Sequence, residues 1–263
     1  MSGADLVVEH LGQRVALVRM DRPAKHNALD GSLITAIADA IATLAESGTV
    51  GAIVLTGSGE RAFSAGADLQ ELAGLDRSAA IAVMTRGQAA FRQIELSPVP
   101  VVAAVNGIAL GGGFELALAC SFTVLSEGAS LGLPETGLGL IPGYGGTQRL
   151  TRVAGPAVAR YVALSGARIS AEQAYQWGMT PVPPVPSQSL LPHAIELAEQ
   201  VAARGPRANA SVLALIDRAG HESLDGGLAA ETRLAAAAIA SDEGREGTAA
   251  FTERRAPRFA VPA

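Results

Sequence analysis

The sequence predicts an α/β fold that continues into a helical C-terminal part. Residues 50–56 and 101–105 form two continuous apolar runs of strand length, which are typical of strands covered on both faces. Residues 78–96 have a helical pattern that ends before Pro98, so a helix connects the two strands. Strands separated by helices in this way indicate an α/β architecture with crossover connections.

Shorter elements precede these strands. Residues 5–10 and 14–20 alternate or run apolar around Gly12, which predicts a hairpin. A helix follows, with Asp30 as its N-cap and Gly48 at its end. Its apolar face would hold Leu33, Ile37, Ile41 and Leu44.

The character of the chain changes in its C-terminal part. The last strand that we predict is 122–125, after a short helix that begins at a run of glycines. The Ala- and Leu-rich segments beyond it predict helices at 155–164, 170–177, 188–204, 208–219, 224–240 and 244–255. The PVPPVP run at 181–186 is interpreted as an ordered connector rather than a recognition motif. We therefore divide the chain into a core with the active site, residues 1–186, and a helical region, residues 187–263.

Composition and charge exclude several classes of protein. The chain has 263 residues, of which 49% are apolar and 17% charged, so it can bury a large core. Its formal net charge is −5, and its basic residues form no long stripe that could neutralise a nucleic-acid backbone. Nucleic acid is therefore not an expected partner, whereas a small anionic ligand is compatible with a few local cations.

Cysteine usage and hydropathy predict a cytoplasmic protein. The single Cys120 cannot form an intrachain disulfide, which fits a reducing compartment. The first ten residues lack the basic start and apolar stretch of a signal peptide. The apolar stretch 101–125 contains three consecutive glycines and Glu115, which argue against a membrane-spanning helix. We expect no association with a membrane.

Three glycine-rich stretches are the candidates for chemistry. They are RAFSAGAD at 61–68, NGIALGGGFEL at 106–116 and LPETGLGLIPGYGGTQR at 133–149. A glycine run that opens a helix presents free backbone N–H groups at the positive end of the helix dipole, where an oxyanion is best held. Glu115 lies on the first turn of this predicted helix, so its carboxylate should lie near the same point.

Glu115 and Glu135 are the candidate acid/base pair. Glu135 follows Gly132 and Pro134, so the two residues cannot share a helix and would meet only through folding. Two carboxylates around one water molecule or one acidic C–H combine a general base with a general acid. This pairing suits the addition of water to a double bond, although an isolated Glu is more often a surface or helix N-terminal charge.

Other chemistries have weaker support. Ser130 lies in a G-x-S-x-G pattern, but Pro134 and a glycine-rich loop follow where a nucleophile elbow requires a helix, and Asp217 with His221 makes a poor triad. The four histidines lack metal-ligand spacing, so no metal is predicted. Cys120 is interpreted as a core residue. Tyr144 is a candidate for lining an apolar pocket, with a surface ring as the alternative.

In their order and spacing, these stretches resemble the crotonase (enoyl-CoA hydratase/isomerase) family. The resemblance begins at Arg22-Pro23 and Asn27-Ala28-Leu29 and continues to Glu253-Arg254-Arg255, so it covers nearly the whole chain. It implies a spiral of ββα units with a C-terminal helical trimerisation region, assembled as a homotrimer or a dimer of trimers. It also implies an acyl-CoA thioester substrate and no cofactor, since coenzyme A is part of the substrate.

The resemblance assigns roles within the glycine-rich stretches. The backbone N–H groups of Ala67 and Gly112 would form an oxyanion hole for the thioester carbonyl. Glu115 would activate the water that attacks carbon 3 of the acyl chain, and Glu135 would protonate carbon 2. The residues expected to contact the acyl or coenzyme A part of the substrate are Lys25, Ala28, Arg61, Ala65, Asp68, Leu69, Gly111, Tyr144 and Arg254.

The sequence departs from the family pattern at three positions and leaves alternatives open. Gln70 stands where relatives often have Lys, Ser121 where Asp is frequent, and Ala235 where some relatives have an aromatic residue near the ligand. Because both carboxylates are present, hydration is favoured over double-bond isomerisation, other enolate chemistry or a non-catalytic acyl-CoA-binding role.

Overall fold

A computed structural model describes residues 5–12 and 14–259 of the chain. Its strands are short, mostly three to six residues. They are β1 (Leu6–Leu11), β2 (Val15–Met20), β3 (Ala52–Gly57), β4 (Ala62–Ser64), β5 (Val101–Val105), β6 (Ile108–Leu110), β7 (Phe122–Leu125), β8 (Ser130–Gly132) and β9 (Ile169–Ser170).

The larger sheet has five strands in the order β1-β2-β3-β5-β7. The predicted hairpin is present, with β1 antiparallel to β2, and all the other pairs are parallel. Every residue of β3 and β5 is buried, which confirms that these apolar runs are covered on both faces.

A second, smaller sheet was not predicted from the sequence. Its order is β4-β6-β8-β9, parallel except for the last pair. Three of its strands have only three residues and β9 has two, so none has the length that gives a readable alternation of polar and apolar side chains. The three parallel strands all end at one edge of this sheet, and the loops of the glycine-rich stretches follow from that edge.

Helices occupy the connections and the C-terminal part. They are α1 (Gly31–Glu46), α2 (Leu69–Leu72), α3 (Arg77–Glu95), α4 (Gly112–Ala119), α5 (Gly146–Ser165), α6 (Ala171–Gln176), α7 (Ser187–Ala202), α8 (Pro206–Ala219), α9 (Leu224–Ala240) and α10 (Asp242–Glu253).

Most helix boundaries agree with the sequence pattern. Asp30 caps α1 as predicted, because its side chain accepts a hydrogen bond from the Leu33 amide at 2.8 Å. The exception is α5, which consists of two helical segments joined at a kink. Gly155 is non-helical, with φ +80° and ψ 162°, and the second segment begins after it, as the prediction of 155–164 requires; the first segment, from Gly146, was not predicted.

Helix α7 completes the core on the second face of the five-stranded sheet. Its buried side chains are small and pack in one cluster with the inward residues of the strands; they are Leu190, Ala194, Ala198 and Ala202. The opposite face packs against α1 and α3 in a larger cluster. Helix α7 thus packs on the core, although we predicted from the sequence that the helical C-terminal region begins at residue 187 and includes it. The boundary between the two regions stays a prediction.

Helices α8, α9 and α10 pack mainly on each other and leave large apolar side chains exposed. These include Ile216, Leu224, Leu228, Ile239 and Phe251. Exposed apolar groups in this number are typical of a surface that contacts another protein. Within the described residues, no helix combines the length and apolar character needed to cross a bilayer.

We predict that Ala198→Leu destabilises the fold by about 1–3 kcal/mol, because the added methylenes have no space between α7 and the sheet. Urea denaturation measures this as a lower midpoint. Gln200→Leu places the same side chain on the exposed face of the same helix and should change stability by less than about 0.5 kcal/mol. Equal effects for the two variants would contradict this packing of α7.

Candidate active site

The glycine-rich stretches meet because strands β4, β6 and β8 are parallel neighbours. The chain leaves β4 into the loop of Ala65–Asp68, β6 into the glycine run that opens α4, and β8 into the segment with Glu135. The carboxyl ends of parallel strands lie at one edge of a sheet, so these three segments come together. They line a cavity of about 140 Å³, and Glu115, Glu135, Ala67 and Gly112 are among its lining residues.

Two backbone amides lie close together in this cavity wall. A Cβ atom built on Gly112 would lie 3.3 Å from the Ala67 nitrogen, so the two backbone segments are in contact. Among the described residues, neither the Ala67 nor the Gly112 N–H donates a hydrogen bond. Gly112 is the first residue of α4, where the N–H has no intrahelical partner. The arrangement suits an oxyanion.

Gly111 allows the chain to turn into α4 beside Glu135. Its φ is +49°, a conformation that side chains other than glycine rarely adopt. A Cβ atom at this position would also lie 2.8 Å from Oε1 of Glu135. Glycine at position 111 therefore lets the Glu135 carboxylate approach the start of the helix.

Glu115 is 1% exposed and is held at one oxygen. Its Oε1 accepts hydrogen bonds from the backbone N–H groups of Tyr144, at 2.9 Å, and Gly146, at 2.6 Å. Among the described residues no donor reaches its Oε2, and the side chain lines the cavity. Burial raises the pKa of Glu115 to about 7; the Gly146 amide opposes this rise and the neighbouring charge of Glu135 adds to it.

Glu135 lies in a different environment. It begins a short 3-10 turn at Glu135–Leu138, and its Oε2 is buried without a hydrogen-bond partner in the described part of the chain. Burial raises the pKa of Glu135. A carboxyl group in this state keeps its proton more readily than one in water.

Tyr144 is a buried wall of the cavity, so the alternative of a surface ring is wrong. The residue is 3% exposed, and its ring meets Phe91 edge to face with centroids 5.3 Å apart. Gly87 of α3 makes room for this ring, because a Cβ atom there would collide with it. The remaining apolar side chains that line the cavity are Leu69, Leu72, Met84, Leu138, Leu140 and Ile141.

The loop before α1 is tied to the loop that contains Ala67. The Leu29 amide donates to the Gly66 carbonyl at 2.8 Å and the Asp68 amide to the Leu29 carbonyl at 2.7 Å. The Lys25 ammonium lies 3.2 Å from the Asp68 carboxylate. Hydrogen bonds from the Gln70 amide and from Lys25 lower the pKa of Asp68, which therefore stays ionised at neutral pH.

The expected coenzyme A residues are only partly brought together. Arg61 lines a second cavity of about 420 Å³ beside Pro23, Ala24 and His26, so it lies next to the Lys25 loop. Ala28 lies in the Lys25 loop. The amide of Ala65 donates to the carbonyl of His26, in the same loop, at 2.9 Å. Arg254 lies at the C-terminal end of α10, outside the residues that line either cavity. Its role stays a prediction.

The departures from the family pattern lie outside the acid/base pair. Ser121 has a structural contact, because its hydroxyl accepts a hydrogen bond from the Val101 amide at 3.0 Å. The side chains of Gln70 and Ala235 are exposed. Among these three residues, only Gln70 is adjacent in sequence to a residue that lines the acid/base cavity.

The alternative chemistries gain no geometric support. Ser130 begins β8, and no helix directly follows it, so it is not on a nucleophile elbow. In the described part of the chain, no three His, Cys, Asp or Glu side chains are grouped so that they could hold a metal ion. Burial raises the pKa of the Cys120 thiol to about 12, which keeps it protonated and unreactive.

Arg149 is the last residue of the glycine-rich stretch at 133–149, and the sequence indicates no role for it. Its guanidinium contacts Glu95 and the Tyr144 carbonyl directly behind the cavity. No local signal could have paired it with Glu95, because the two residues lie 54 positions apart on different helices.

We predict that Glu115→Gln becomes more stable relative to the wild type as pH rises from about 4.5 to about 7. In this range unfolded Glu115 is ionised while the folded residue, with its raised pKa, holds its proton, so wild-type stability falls as pH rises. The difference should reach at most about 3 kcal/mol. Urea denaturation at several pH values measures it, and a difference that is constant with pH would contradict the raised pKa.

Comparisons with known proteins confirm the family that the motifs suggest. The sequence model of the enoyl-CoA hydratase/isomerase family matches residues 10–261. The 2,3-dehydroadipyl-CoA hydratase of Escherichia coli is 39% identical over 247 residues, which cover 94% of this chain and 95% of that protein. The crotonyl-CoA hydratase of Syntrophomonas wolfei is 34% identical with the same coverage.

The fold agrees with these sequence relationships. The crystal structure of enoyl-CoA hydratase from Bacillus anthracis superimposes with a TM-score of 0.94 at 37% identity, covering 98% of this chain and 100% of the other. The crotonase-like α/β spiral that the resemblance implied is therefore confirmed. By sequence and by fold, the chain belongs to the enoyl-CoA hydratase/isomerase (crotonase) family.

Proposed function

We propose that this protein catalyses the reversible syn addition of water to the 2,3 double bond of a 2-enoyl-CoA thioester. The observation that carries the proposal is the meeting of a buried carboxylate, Glu115, and a half-buried one, Glu135, with two unpaired backbone amides in one cavity. The relatives named as hydratases support the same reaction class.

The amides of Ala67 and Gly112 would bind the thioester carbonyl oxygen. Attack at carbon 3 moves electrons onto this oxygen and forms an enolate, and the two N–H groups would bind it more tightly than they bind the neutral carbonyl. Loss of one such donor costs about 3 kcal/mol of transition-state stabilisation in well-studied enzymes. The dipole of α4 points its positive end at the same oxygen.

The carboxylates divide the proton transfers between them. Glu115 holds Oε1 on the Tyr144 and Gly146 amides and has Oε2 left to accept a proton from water. The water oxygen bonds to carbon 3 as its proton passes to Glu115. Glu135 then gives its proton to carbon 2 of the enolate, and one proton transfer from Glu115 to Glu135 restores the starting state.

Binding of the coenzyme A part is proposed to use cations at the cavity entrance. Lys25 and Arg61 lie on neighbouring segments beside the loop of Ala65–Asp68, and Arg254 is the third candidate. The Lys25 side chain is half exposed and paired with Asp68, so it can exchange this partner for a phosphate at low cost. The scheme uses the chain's own side chains and amides, with coenzyme A as part of the substrate.

A homotrimer or a dimer of trimers is proposed as the working form. The exposed apolar side chains of α8–α10 support it, because a chain with this much uncovered apolar surface is expected to associate. Sedimentation or light scattering of the purified protein would test it.

We predict that Glu135→Gln lowers the turnover of crotonyl-CoA at least about 100-fold, since an amide cannot supply the proton for carbon 2. Loss of absorbance by the conjugated thioester measures the rate. Glu127→Gln makes the same change at an exposed position and should retain wild-type turnover. Near-normal turnover in Glu135→Gln would overturn the acid/base assignment, and migration of the double bond without hydration would favour an isomerase.

We predict that kcat/KM for hydration rises with pH through about 7, because the raised pKa of Glu115 leaves this base protonated below that range. The raised pKa of Glu135 extends the range in which this acid is still protonated. Initial rates with crotonyl-CoA between pH 5 and pH 9 measure the profile. A plateau that extends down to about pH 5 would contradict Glu115 as the base.

A further inference from the structure

The guanidinium of Arg149 makes three hydrogen bonds behind the active site. Its Nη1 donates to the Tyr144 carbonyl at 2.8 Å. Its Nε and Nη2 donate to Oε1 and Oε2 of Glu95 at 3.2 and 2.9 Å, in a bidentate ion pair. The Arg149 side chain is 11% exposed and that of Glu95 is 28% exposed, so the ion pair is partly shielded from water.

The carbonyl that Arg149 binds lies between the two amides that hold Glu115. The Tyr144 N–H precedes it by one peptide unit, and the Gly146 N–H follows it by one. Fixing this carbonyl therefore orients both donor peptides. Gly145 fits the same arrangement: its φ is +107°, and a Cβ atom there would lie 2.5 Å from Nη1 of Arg149.

Glu95 is anchored in turn by a second arginine. Arg92 lies 2.9 Å from Oε2 of Glu95 and makes a bidentate pair with Asp217 of α8, at 2.6 and 3.0 Å. Glu95 thus has fixed partners on both sides, and hydrogen bonds from Arg149 and Arg92 outweigh its burial and lower its pKa. It remains an ionised partner for Arg149 throughout the neutral range.

We infer that Arg149 is a positioning residue for Glu115, with Glu95 as the partner that fixes its guanidinium. The inference rests on the proposed role of Glu115 as the base. Arg149 acts through the loop rather than on the substrate, because each of its three nitrogens donates to Glu95 or to the Tyr144 carbonyl and the residue does not line the acid/base cavity. The three simultaneous hydrogen bonds require the planar guanidinium with its fixed donor directions, which lysine lacks.

The charges around Glu115 make the inference measurable. Glu135 raises its pKa from the cavity side, and Arg149 lowers it from α5. Behind Arg149 lie the ion pairs of Glu95 and Arg92 on α3, and the Cys120 thiol at the end of α4 stays neutral. The Tyr144 hydroxyl also stays neutral, since burial raises its pKa to about 12. Removing Arg149 thus removes a cation and loosens two amide donors, and both effects raise the pKa of Glu115.

The test compares Arg149→Met and Arg149→Lys with Asp217→Asn, which breaks the outer ion pair and leaves Arg149 paired with Glu95. The titration of Glu115 is followed by NMR of protein labelled with ¹³C at glutamate carboxyls, with the signal assigned from Glu115→Gln. The pH profile of crotonyl-CoA hydration is measured in parallel.

For Arg149→Met we expect the titration and the acidic limb of kcat/KM to move up by about one pH unit, with kcat at least about tenfold lower and KM changed less than about threefold. In Arg149→Lys, the Glu115 titration and the acidic limb of kcat/KM should stay near their wild-type pH, because the cation is kept, but kcat should fall. Asp217→Asn should lower the melting temperature and leave the limb in place. If Asp217→Asn moved the acidic limb of kcat/KM as far as Arg149→Met does, the shift would reflect a general loosening of the fold, and the inference would be overturned.

If Arg149→Met does not fold, Glu95→Gln tests the positioning role instead. It weakens the bidentate pair while leaving the arginine in place, and the Glu115 titration is followed in the same way. An unmoved Glu115 titration in the folded variants would overturn the positioning role. A wild-type protein that hydrates no 2-enoyl-CoA would instead overturn the proposed function, and the NMR titration would still decide whether Arg149 holds Glu115.

Discussion

The burial of the Glu115 carboxylate is the constraint on which the rest of the site depends. An ionised carboxylate almost without solvent contact is costly unless donors replace its lost water. Here the donors are two loop amides, and the loop itself follows an irregular path through Gly145. Such a loop needs support from behind, which Arg149 and Glu95 provide. The base, the loop and the ion pairs are therefore parts of one arrangement rather than separate features.

The small parallel sheet explains why three distant motifs form one site. Strands β4, β6 and β8 are too short to contribute much stability by themselves, yet their parallel order places three loop beginnings at one edge. The larger sheet and helix α7 supply the rigid core against which this edge is held. Precision at the site thus depends on short elements that are supported by long ones.

Long, regular patterns were readable in the sequence, and long-range contacts were not. The apolar runs of β3 and β5, the hairpin of β1 and β2 and the cap at Asp30 follow from local composition and periodicity. The three-residue strands lack a sufficient local signal, and the segment of α5 before Gly155 was not predicted. Glu115 and Glu135 were found through their glycine-rich surroundings. The burial of Tyr144 and the ion pair of Arg149 depend on α3, which the chain forms more than 50 residues earlier.

The surroundings of the two glutamates, more than their identity, separate their proposed roles. Glu115 accepts two backbone hydrogen bonds, which favour its ionised form against the cost of burial, and the result is a pKa near neutrality. Glu135 has a buried oxygen to which no described residue donates, and burial raises its pKa. Both pKa values are raised, so the proposed roles rest on position: the amides hold Oε1 of Glu115 and leave its Oε2 without a described donor, whereas Glu135 lies beside the start of α4. Gly111 lets Glu135 approach the start of α4, and the loop at Gly145 supplies the donors to Glu115, so the backbone creates the difference between base and acid.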